Sequence, residues 1–262
     1  MGVPASPRPL SRTGRWLRGT AGVAVLFAVS EAFTRAGLVD RSYLPPASSV
    51  VARAAALLGD GDFLRQVQHT MIAWGLGLAI AVAVAVPLGL LLGSVPVLNT
   101  GSRAIVEFLR PIPSVAMIPL AELLLGSGLG MEVPLVVFAS VWPILFNTMY
   151  GLQDVDPVAK ETLRSFGFGP VPVLIRVSLP SAGPFIATGV RLAAAVALIV
   201  AVSSEFLAGF GDGLGIFISQ AQSVPGGALD VLAGTVWAGT LGLIIATLLG
   251  RAERLLFSWN RS

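Results

Sequence analysis

Residues 72–93 have the sequence IAWGLGLAIAVAVAVPLGLLLG, a stretch of 22 residues without a charged side chain. About 20 apolar residues in a helix are enough to cross the hydrocarbon core of a bilayer. Further stretches that are nearly free of charge lie at 22–30, 133–150, 186–202 and 231–250. This pattern predicts an all-α, polytopic membrane protein.

The composition of the whole chain leads to the same class. Of its 262 residues, 55% are hydrophobic and 12% are charged, whereas about 25% of the residues of a soluble domain are charged. The mean hydropathy is +0.83, and so few polar side chains cannot cover the surface of a soluble globule. A soluble enzyme, a DNA-binding module and a disordered linker are therefore excluded.

The rare residue types limit the possible chemistry. The chain has no cysteine and one histidine, which excludes a disulfide framework, a thiolate metal site and a cysteine nucleophile. His69 immediately precedes a predicted membrane helix, and we expect it to cap that helix or to lie at the surface rather than to bind a metal. The sequence therefore predicts neither a metal site nor a catalytic residue.

The apolar pattern predicts about six transmembrane helices. Their approximate ranges are 16–38, 70–93, 104–125, 133–152, 184–208 and 229–251. With the N-terminus in the cytoplasm, twelve basic residues fall at or near the inner face, and Arg41, Arg53 and Arg65 fall outside. Because cytoplasmic loops of membrane proteins carry the excess of arginine and lysine, we predict that both termini are cytoplasmic.

Two connections between the predicted spans are longer than a turn requires. The outer one, 39–69, contains an alanine-rich stretch at 50–58 that predicts a short amphipathic helix. The inner one, 153–183, mixes charged and apolar residues, and a loop of this length in a compact chain usually has a function.

Within the inner loop, the sequence predicts a helix–turn–helix that lies flat on the inner membrane face. Asp156 and Pro157 favour a helix start, and a helix at 158–166 would end at Gly167. A second short helix, at about 171–177, would end before Pro180. From the pattern alone, this element either docks onto a partner or packs against its own bundle.

The same loop carries a motif, ETLRSFG at 161–167 followed after nine residues by VSLP at 177–180. It resembles the Glu-Ala-Ala loop of the permease subunits of binding-protein-dependent ABC importers. The pattern of that loop is Glu-Ala-Ala, three residues, Gly, nine residues and Ile-x-Leu-Pro. The residues that match at the same spacing are Glu161, Gly167, Leu179 and Pro180. The residues that depart from the pattern are Thr162, Leu163 and Val177.

The resemblance implies a type I ABC importer permease fold, in which this coupling helix sits in a groove of a separate ATPase subunit. Apolar contacts with that subunit are expected from Phe166, Phe168 and Leu174, and polar contacts from Glu161 and Arg164. The domain organisation would be a cytoplasmic segment (1–15), one transmembrane permease domain (16–256) and a cytoplasmic tail (257–262).

Beyond the loop, the chain from about residue 43 to about residue 222 looks most like one group of these permeases. That group carries nitrate, taurine, aliphatic sulfonates, bicarbonate or the pyrimidine precursor of thiamine. The similar stretches are YLPP (43–46), RPIP (110–113), IPL (118–120), FNT (146–148), GVR (189–191), SEF (204–206) and GLG (213–215). The expected substrate is a small anion such as a sulfonate, taurine, nitrate or bicarbonate, and a pyrimidine or another small solute is the alternative.

Prolines and charges inside the predicted spans are candidates for the translocation path. These candidates are Arg110, Pro113, Pro119, Arg191 and Glu205. The prolines indicate either a helix that changes shape or a fixed kink. The arginines would attract an anion, unless structural pairs hold them. Glu205 has no local partner, so it is expected to be solvated at the outer mouth or to contact a neighbouring subunit.

A phosphate loop of the form Gly-x-x-x-x-Gly-Lys-Ser/Thr does not occur in the sequence, so ATP must be hydrolysed by another subunit. The resemblance implies a non-catalytic permease of the plasma (inner) membrane that binds no cofactor itself. The expected protein partners are two ATPase subunits that use ATP and magnesium, an external solute-binding protein and a second permease copy in a homodimer. The chain is also expected to contact membrane lipid, but no nucleic acid. A paired, non-identical permease would also fit. A stand-alone secondary transporter would leave the loop 153–183 unexplained, and a membrane enzyme would lack its catalytic residues.

Overall fold

The structure is a computed structural model that describes residues 12–37, 39–40, 42–95, 97, 99, 101, 108–109 and 112–257. All regular secondary structure in these residues is helical, which confirms the predicted all-α class. The helices are α1 (Arg12–Arg35), α2 (Ala47–Ala56), α3 (Gly61–Ser94), α4 (Ile118–Leu125), α5 (Leu129–Gln153), α6 (Pro157–Ser165), α7 (Pro170–Val173), α8 (Leu179–Ala208), α9 (Leu214–Gln222) and α10 (Ala228–Leu256).

Four segments in the described part of the chain are long and apolar enough to cross a membrane. They are Gly61–Ser94, Leu129–Gln153, Pro170–Ala208 and Ala228–Leu256, and they correspond to the second, fourth, fifth and sixth predicted spans. The first predicted span corresponds to α1, a helix of 24 residues that exposes apolar side chains such as Leu26. This helix is not among the four apolar segments.

The third predicted span, 104–125, is wrong as one continuous helix. Pro113 has an extended backbone, with φ −68° and ψ 113°, and a 3₁₀ turn at Ser114–Met117 separates it from α4, which has eight residues. Proline cannot donate a backbone hydrogen bond, and it disfavours helical geometry in the residue before it. Regular α-helix on this side of Pro113 therefore begins only at Ile118. Residues 102–107, 110 and 111 lie outside the described residues.

The second short helix of the inner loop also differs from the prediction. Instead of ending before Pro180, α7 continues through a wider π turn at Leu174–Ser178 into α8. In an α-helix, the ring of Pro180 would clash with the carbonyl of Arg176, four residues earlier. The π turn lies where this clash would occur and widens the helix there. Pro180 is therefore accommodated within one helical segment, Pro170–Ala208.

The outer connection contains the predicted short helix, which is α2 followed by a 3₁₀ turn at Leu57–Gly59. Helix α3 begins at Gly61, nine residues before the predicted start, because Asp60 caps it. The Asp60 carboxylate accepts hydrogen bonds from the backbone N–H groups of Asp62 and Phe63, at 2.9 and 3.3 Å. Such a cap satisfies donors that the first turn of a helix leaves free.

Helix α5 packs along both α3 and α8, and the three helices enclose the main core. Glycines allow the close approach. A Cβ atom at Gly89 of α3 would lie 2.7 Å from the Cβ atom of Thr148, and one at Gly189 of α8 would lie 2.8 Å from that of Asn147. Small residues at such crossings increase dispersion contact between membrane helices, where the hydrophobic effect supplies little attraction. The buried core includes Ala81, Ala85, Ile144, Leu145, Ala193 and Ala194.

Candidate functional site

The inner loop starts with the predicted helix, α6. The Asp156 carboxylate accepts a hydrogen bond of 2.8 Å from the N–H group of Val158, and Pro157 occupies the first turn. Lys160 Nζ donates to the carbonyl of Leu152 at 3.1 Å, and the side chain of Val155 is buried. These contacts fix the start of α6 to the end of α5.

The end of α6 confirms the expected break at Gly167. Gly167 has a φ of 83°, its N–H group donates to the Arg164 carbonyl at 2.9 Å, and the N–H group of Phe168 donates to the Leu163 carbonyl at 3.1 Å. This is the Schellman arrangement, in which a residue in the left-handed region ends a helix. Glycine adopts this conformation without steric cost because it has no Cβ atom.

Helix α6 presents its side chains to the outside of the bundle. None of its residues is buried, Phe166 beyond its end is 77% exposed, and Glu161, Thr162 and Arg164 are exposed. Phe168 is 37% exposed and lies under the Arg176 guanidinium, 5.1 Å from the ring centre. Exposed phenylalanines thus lie beside exposed charges in a part of the chain that is outside the four apolar segments. The other two motif residues, Leu179 and Pro180, lie in the first turn of α8, where Leu179 is half-buried.

The broken third helix lies beside a cavity of 640 Å³. Its lining includes Pro113, Ser114, Trp142, Asn147 and Tyr150. Pro119 lies in the first turn of α4 and is exposed. Arg110 and Pro111 lie outside the described residues.

Arg191 forms an ion pair within this chain. Its Nη1 atom lies 3.0 Å from Glu253 Oε2, and the other oxygen of Glu253 accepts a hydrogen bond of 2.9 Å from Thr188. The side chain of Arg191 remains 40% exposed and lines a second cavity of 510 Å³, whose other lining residues are mostly apolar. Of the two roles expected for Arg191, structural pairing is the one that the geometry shows.

Glu205 is not solvated at an outer mouth, so that expectation is wrong. Its side chain is fully buried, and Oε2 accepts hydrogen bonds from Thr70 Oγ1 at 2.9 Å and from the backbone N–H group of Gly215 at 2.8 Å. Thr70 Oγ1 in turn accepts from the N–H group of Leu214 at 2.8 Å. The carboxylate thus connects the ends of α8 and α9 to α3.

The expectation for His69 is wrong as well. It lies inside α3 rather than at its start, its side chain is 19% exposed, and it faces Glu132 of α5 together with Glu205. Glu132 is not among the residues that the sequence indicates, because it lies close to the predicted start of an apolar span, where a carboxylate is usually solvated. Glu31 and Arg35, whose spacing of four residues on one helix predicts a pair, do form one, with 2.7 Å between Arg35 Nη2 and Glu31 Oε1.

Close-packed apolar helices, with four segments in the described part of the chain that are long enough to cross a membrane, define a polytopic membrane protein. Residues 85–255 match the family described as the binding-protein-dependent transport system inner membrane component, and the chain belongs to this family. It is therefore a multi-pass inner-membrane permease component of an ABC importer, a non-catalytic transport subunit.

Three relatives are between 26% and 33% identical to this chain. A putative ABC transporter permease of Methanocaldococcus jannaschii is 33% identical over 176 residues, which cover 67% of this chain and 65% of that protein. The putative aliphatic sulfonates transport permease SsuC of Bacillus subtilis is 26% identical over 94% of this chain and 89% of its own length. The taurine transport permease TauC of Escherichia coli is 28% identical over 96% of this chain and 92% of its own length.

Among solved structures, an inward-facing conformation of the MetNI methionine ABC transporter is similar. The TM-score is 0.66 with 20% sequence identity, and the alignment covers 74% of this chain and 95% of the matched chain. At this identity the likeness concerns the fold, and it agrees with the predicted type I permease architecture.

Proposed function

We propose that this chain forms the translocation path of an ATP-driven importer for a small anion of the sulfonate, taurine, nitrate or bicarbonate type. The names of the relatives SsuC and TauC support this substrate class, and the family supports delivery by an external binding protein. A pyrimidine precursor of thiamine is the alternative substrate.

The observation that carries the proposed ATP-driven role is the exposed element formed by α6 and the turn after it. Its helix has a capped start, a glycine-dependent end and no buried residue, while Phe166 is 77% exposed. A phenylalanine left in solvent contributes binding free energy when a partner covers it. We assign the contact with the ATPase subunit to Glu161, Thr162, Leu163, Arg164, Phe166, Gly167, Phe168, Leu179 and Pro180.

The assembly that we propose contains two copies of this chain and two ATPase subunits that bind ATP and magnesium. Both termini and the loop 153–183 would face the cytoplasm, as the distribution of arginines favours. The copy number is measured by native mass spectrometry of the purified complex. One copy of this chain beside a different permease would contradict the homodimer.

The translocation path is proposed to run past the broken third helix. Pro113 and Pro119 flank its 3₁₀ turn, and Pro113 lines the 640 Å³ cavity. Arg191 and Glu205 already have partners within this chain. An anion would therefore have to compete with Glu253 for the Arg191 guanidinium.

Photo-crosslinking tests the proposed docking surface. The chain has no cysteine, so within this chain a benzophenone maleimide reacts only at an introduced one. With Phe166→Cys in the membrane-bound complex, we expect a crosslinked product that contains this chain and the ATPase subunit. The matched control is Leu58→Cys, which is also exposed, at 53%, but lies in the outer connection. Equal yields of the ATPase product from the two positions would contradict the docking role.

A transport assay tests the substrate class separately. Proteoliposomes with the complete importer and its binding protein should accumulate radiolabelled sulfonate, taurine, nitrate or bicarbonate when ATP is inside. Uptake of a pyrimidine alone would contradict the anion proposal and would leave the docking role intact.

A further inference from the structure

Three polar side chains from three different helices meet inside the bundle. They are His69 of α3, Glu132 of α5 and Glu205 of α8. His69 Nδ1 lies 3.6 Å from Glu132 Oε2 and 4.0 Å from Glu205 Oε1, and one ligand atom of each residue lies within 4.8 Å of the others. We call these three residues the His–Glu–Glu cluster.

Burial of these three side chains without hydrogen-bond partners for all their polar atoms destabilises the folded chain. Glu132 is 2% exposed and Glu205 is fully buried. His69 Nδ1, Glu132 Oε2 and Glu205 Oε1 are all buried without a hydrogen-bond partner. Buried polar atoms without a hydrogen-bond partner are destabilising, and ionised ones more so. The imidazole supplies at most one positive charge for the two carboxylates.

Direct hydrogen bonds do not resolve this cost. An N–H···O hydrogen bond requires about 2.7–3.2 Å between the heavy atoms, which is shorter than both distances from His69 Nδ1. Two ligands of one metal ion, each about 2.0–2.2 Å from it, lie roughly 3–4 Å apart. Both distances from His69 Nδ1 therefore lie within the range for two ligands of one metal ion and outside the range for a direct hydrogen bond.

The surroundings orient Glu205 as a ligand. Its Oε2 atom is held by Thr70 Oγ1 and by the N–H group of Gly215, while Oε1 points toward His69 without another partner. Hydrogen bonds of this kind fix the ligands of metal sites and are part of their affinity. The partial exposure of His69, at 19%, gives an ion a way in from one side.

We propose that the His–Glu–Glu cluster binds one divalent transition-metal ion, of which zinc is the representative. One neutral imidazole and two carboxylates are ligands that suit zinc or manganese, and an ion of charge +2 neutralises both carboxylates. By joining α3, α5 and α8, the ion stabilises the folded bundle, since metal binding to the native state adds to its free energy of unfolding.

The test uses the purified full-length chain in complex with its ATPase subunits. After treatment with a chelator, the complex is dialysed against zinc chloride, and the bound zinc is measured by mass spectrometry. We expect about one zinc per copy of this chain and a higher melting temperature than in the chelated protein. Glu132→Gln and His69→Gln should each lower the zinc affinity at least about tenfold. Thr70→Val, which removes a hydrogen bond to Glu205, should lower it about 10- to 100-fold.

The matched control is Glu122→Gln, because Glu122 is a half-exposed carboxylate of α4 outside the cluster. It should bind zinc like the unmodified chain. If Glu132→Gln does not fold, His69→Gln carries the comparison alone. Absence of bound zinc in the unmodified chain would overturn the proposal, as would cluster variants that fold and still bind zinc as tightly as the unmodified chain. The carboxylates would then be neutralised by protons instead.

Discussion

A substitution at Gly167 should impair coupling to the ATPase subunit without unfolding the protein. Its φ of 83° lies in the left-handed region, where a residue with a Cβ atom is strained by about 1–2 kcal/mol. In the substitution Gly167→Val, we expect α6 to lose its orientation. The membrane bundle should stay intact, because no residue of α6 is buried. ATP-dependent uptake should fall at least about tenfold at normal abundance in the membrane.

The control for Gly167 lies two residues further on. Gly169 has a φ of −73° and a ψ of 177°, which valine adopts readily, and a Cβ atom there would meet nothing within 4 Å. Gly169→Val should therefore transport normally. Normal transport by Gly167→Val would show that the loop does not couple ATP hydrolysis to transport.

Glu161 is expected to act through its charge at the surface of α6, where it is exposed. Glu161→Ala should leave insertion and abundance unchanged, because the side chain buries nothing in this chain. It should weaken retention of the ATPase subunit during purification about tenfold, since a charge at a covered interface loses its partner. Asp154→Ala, an exposed carboxylate outside α6, is the control, and the same loss in both variants would argue against a specific contact.

At this scale the sequence predicts local features and misses distant ones. The Asp156 cap, the Gly167 turn and the Glu31–Arg35 pair involve residues within a few positions of each other, so their spacing contains the geometry. The hydrogen bond between Thr70 and Glu205 joins residues 135 positions apart. No spacing rule indicates such a contact, which depends on how α3 and α8 pack.

Among the helices, the contact of α3 with α5 depends on a glycine. In Gly89→Ala, the new Cβ atom would lie 2.7 Å from the Cβ atom of Thr148, so the helices must separate. We expect a loss of about 1–3 kcal/mol in the free energy of unfolding, as for other overpacked cores, measured as a lower melting temperature in detergent. The control is Gly75→Ala in the same helix, where nothing lies within 4 Å. Because alanine favours a helix more than glycine does, Gly75→Ala should not lower the melting temperature, and an equal fall in both variants would contradict a packing cost at Gly89.

Helices, like single residues, are predictable from the sequence only where a local pattern determines them. Four spans are predictable because a long apolar stretch has few alternatives to a membrane helix. The break at Pro113 and the continuous passage through Pro180 are not, although both positions are prolines. Whether a proline interrupts a helix depends on the neighbouring backbone, here on the π turn at Leu174–Ser178.

For the whole molecule, the orientation in the membrane is the prediction to test. Ser165 and Ala55 are both exposed, in the inner loop and in α2. If the arginine distribution sets the orientation, a membrane-impermeant maleimide should label Ala55→Cys in intact cells, and Ser165→Cys only after the cells are opened. Labelling of Ser165→Cys from outside would reverse the topology. The native chain has no cysteine to give background.

The unbroken segment from Pro170 to Ala208 has a mechanical consequence. At about 1.5 Å per residue, its 39 residues measure about 58 Å, whereas the hydrocarbon core of a bilayer is about 30 Å thick. One end of this rod belongs to the inner loop, and the other carries Glu205. A lever of this length that tilts by about 5° moves its far end by about 5 Å. Such a shift is larger than the hydrogen bonds of 2.9 and 2.8 Å that hold Glu205.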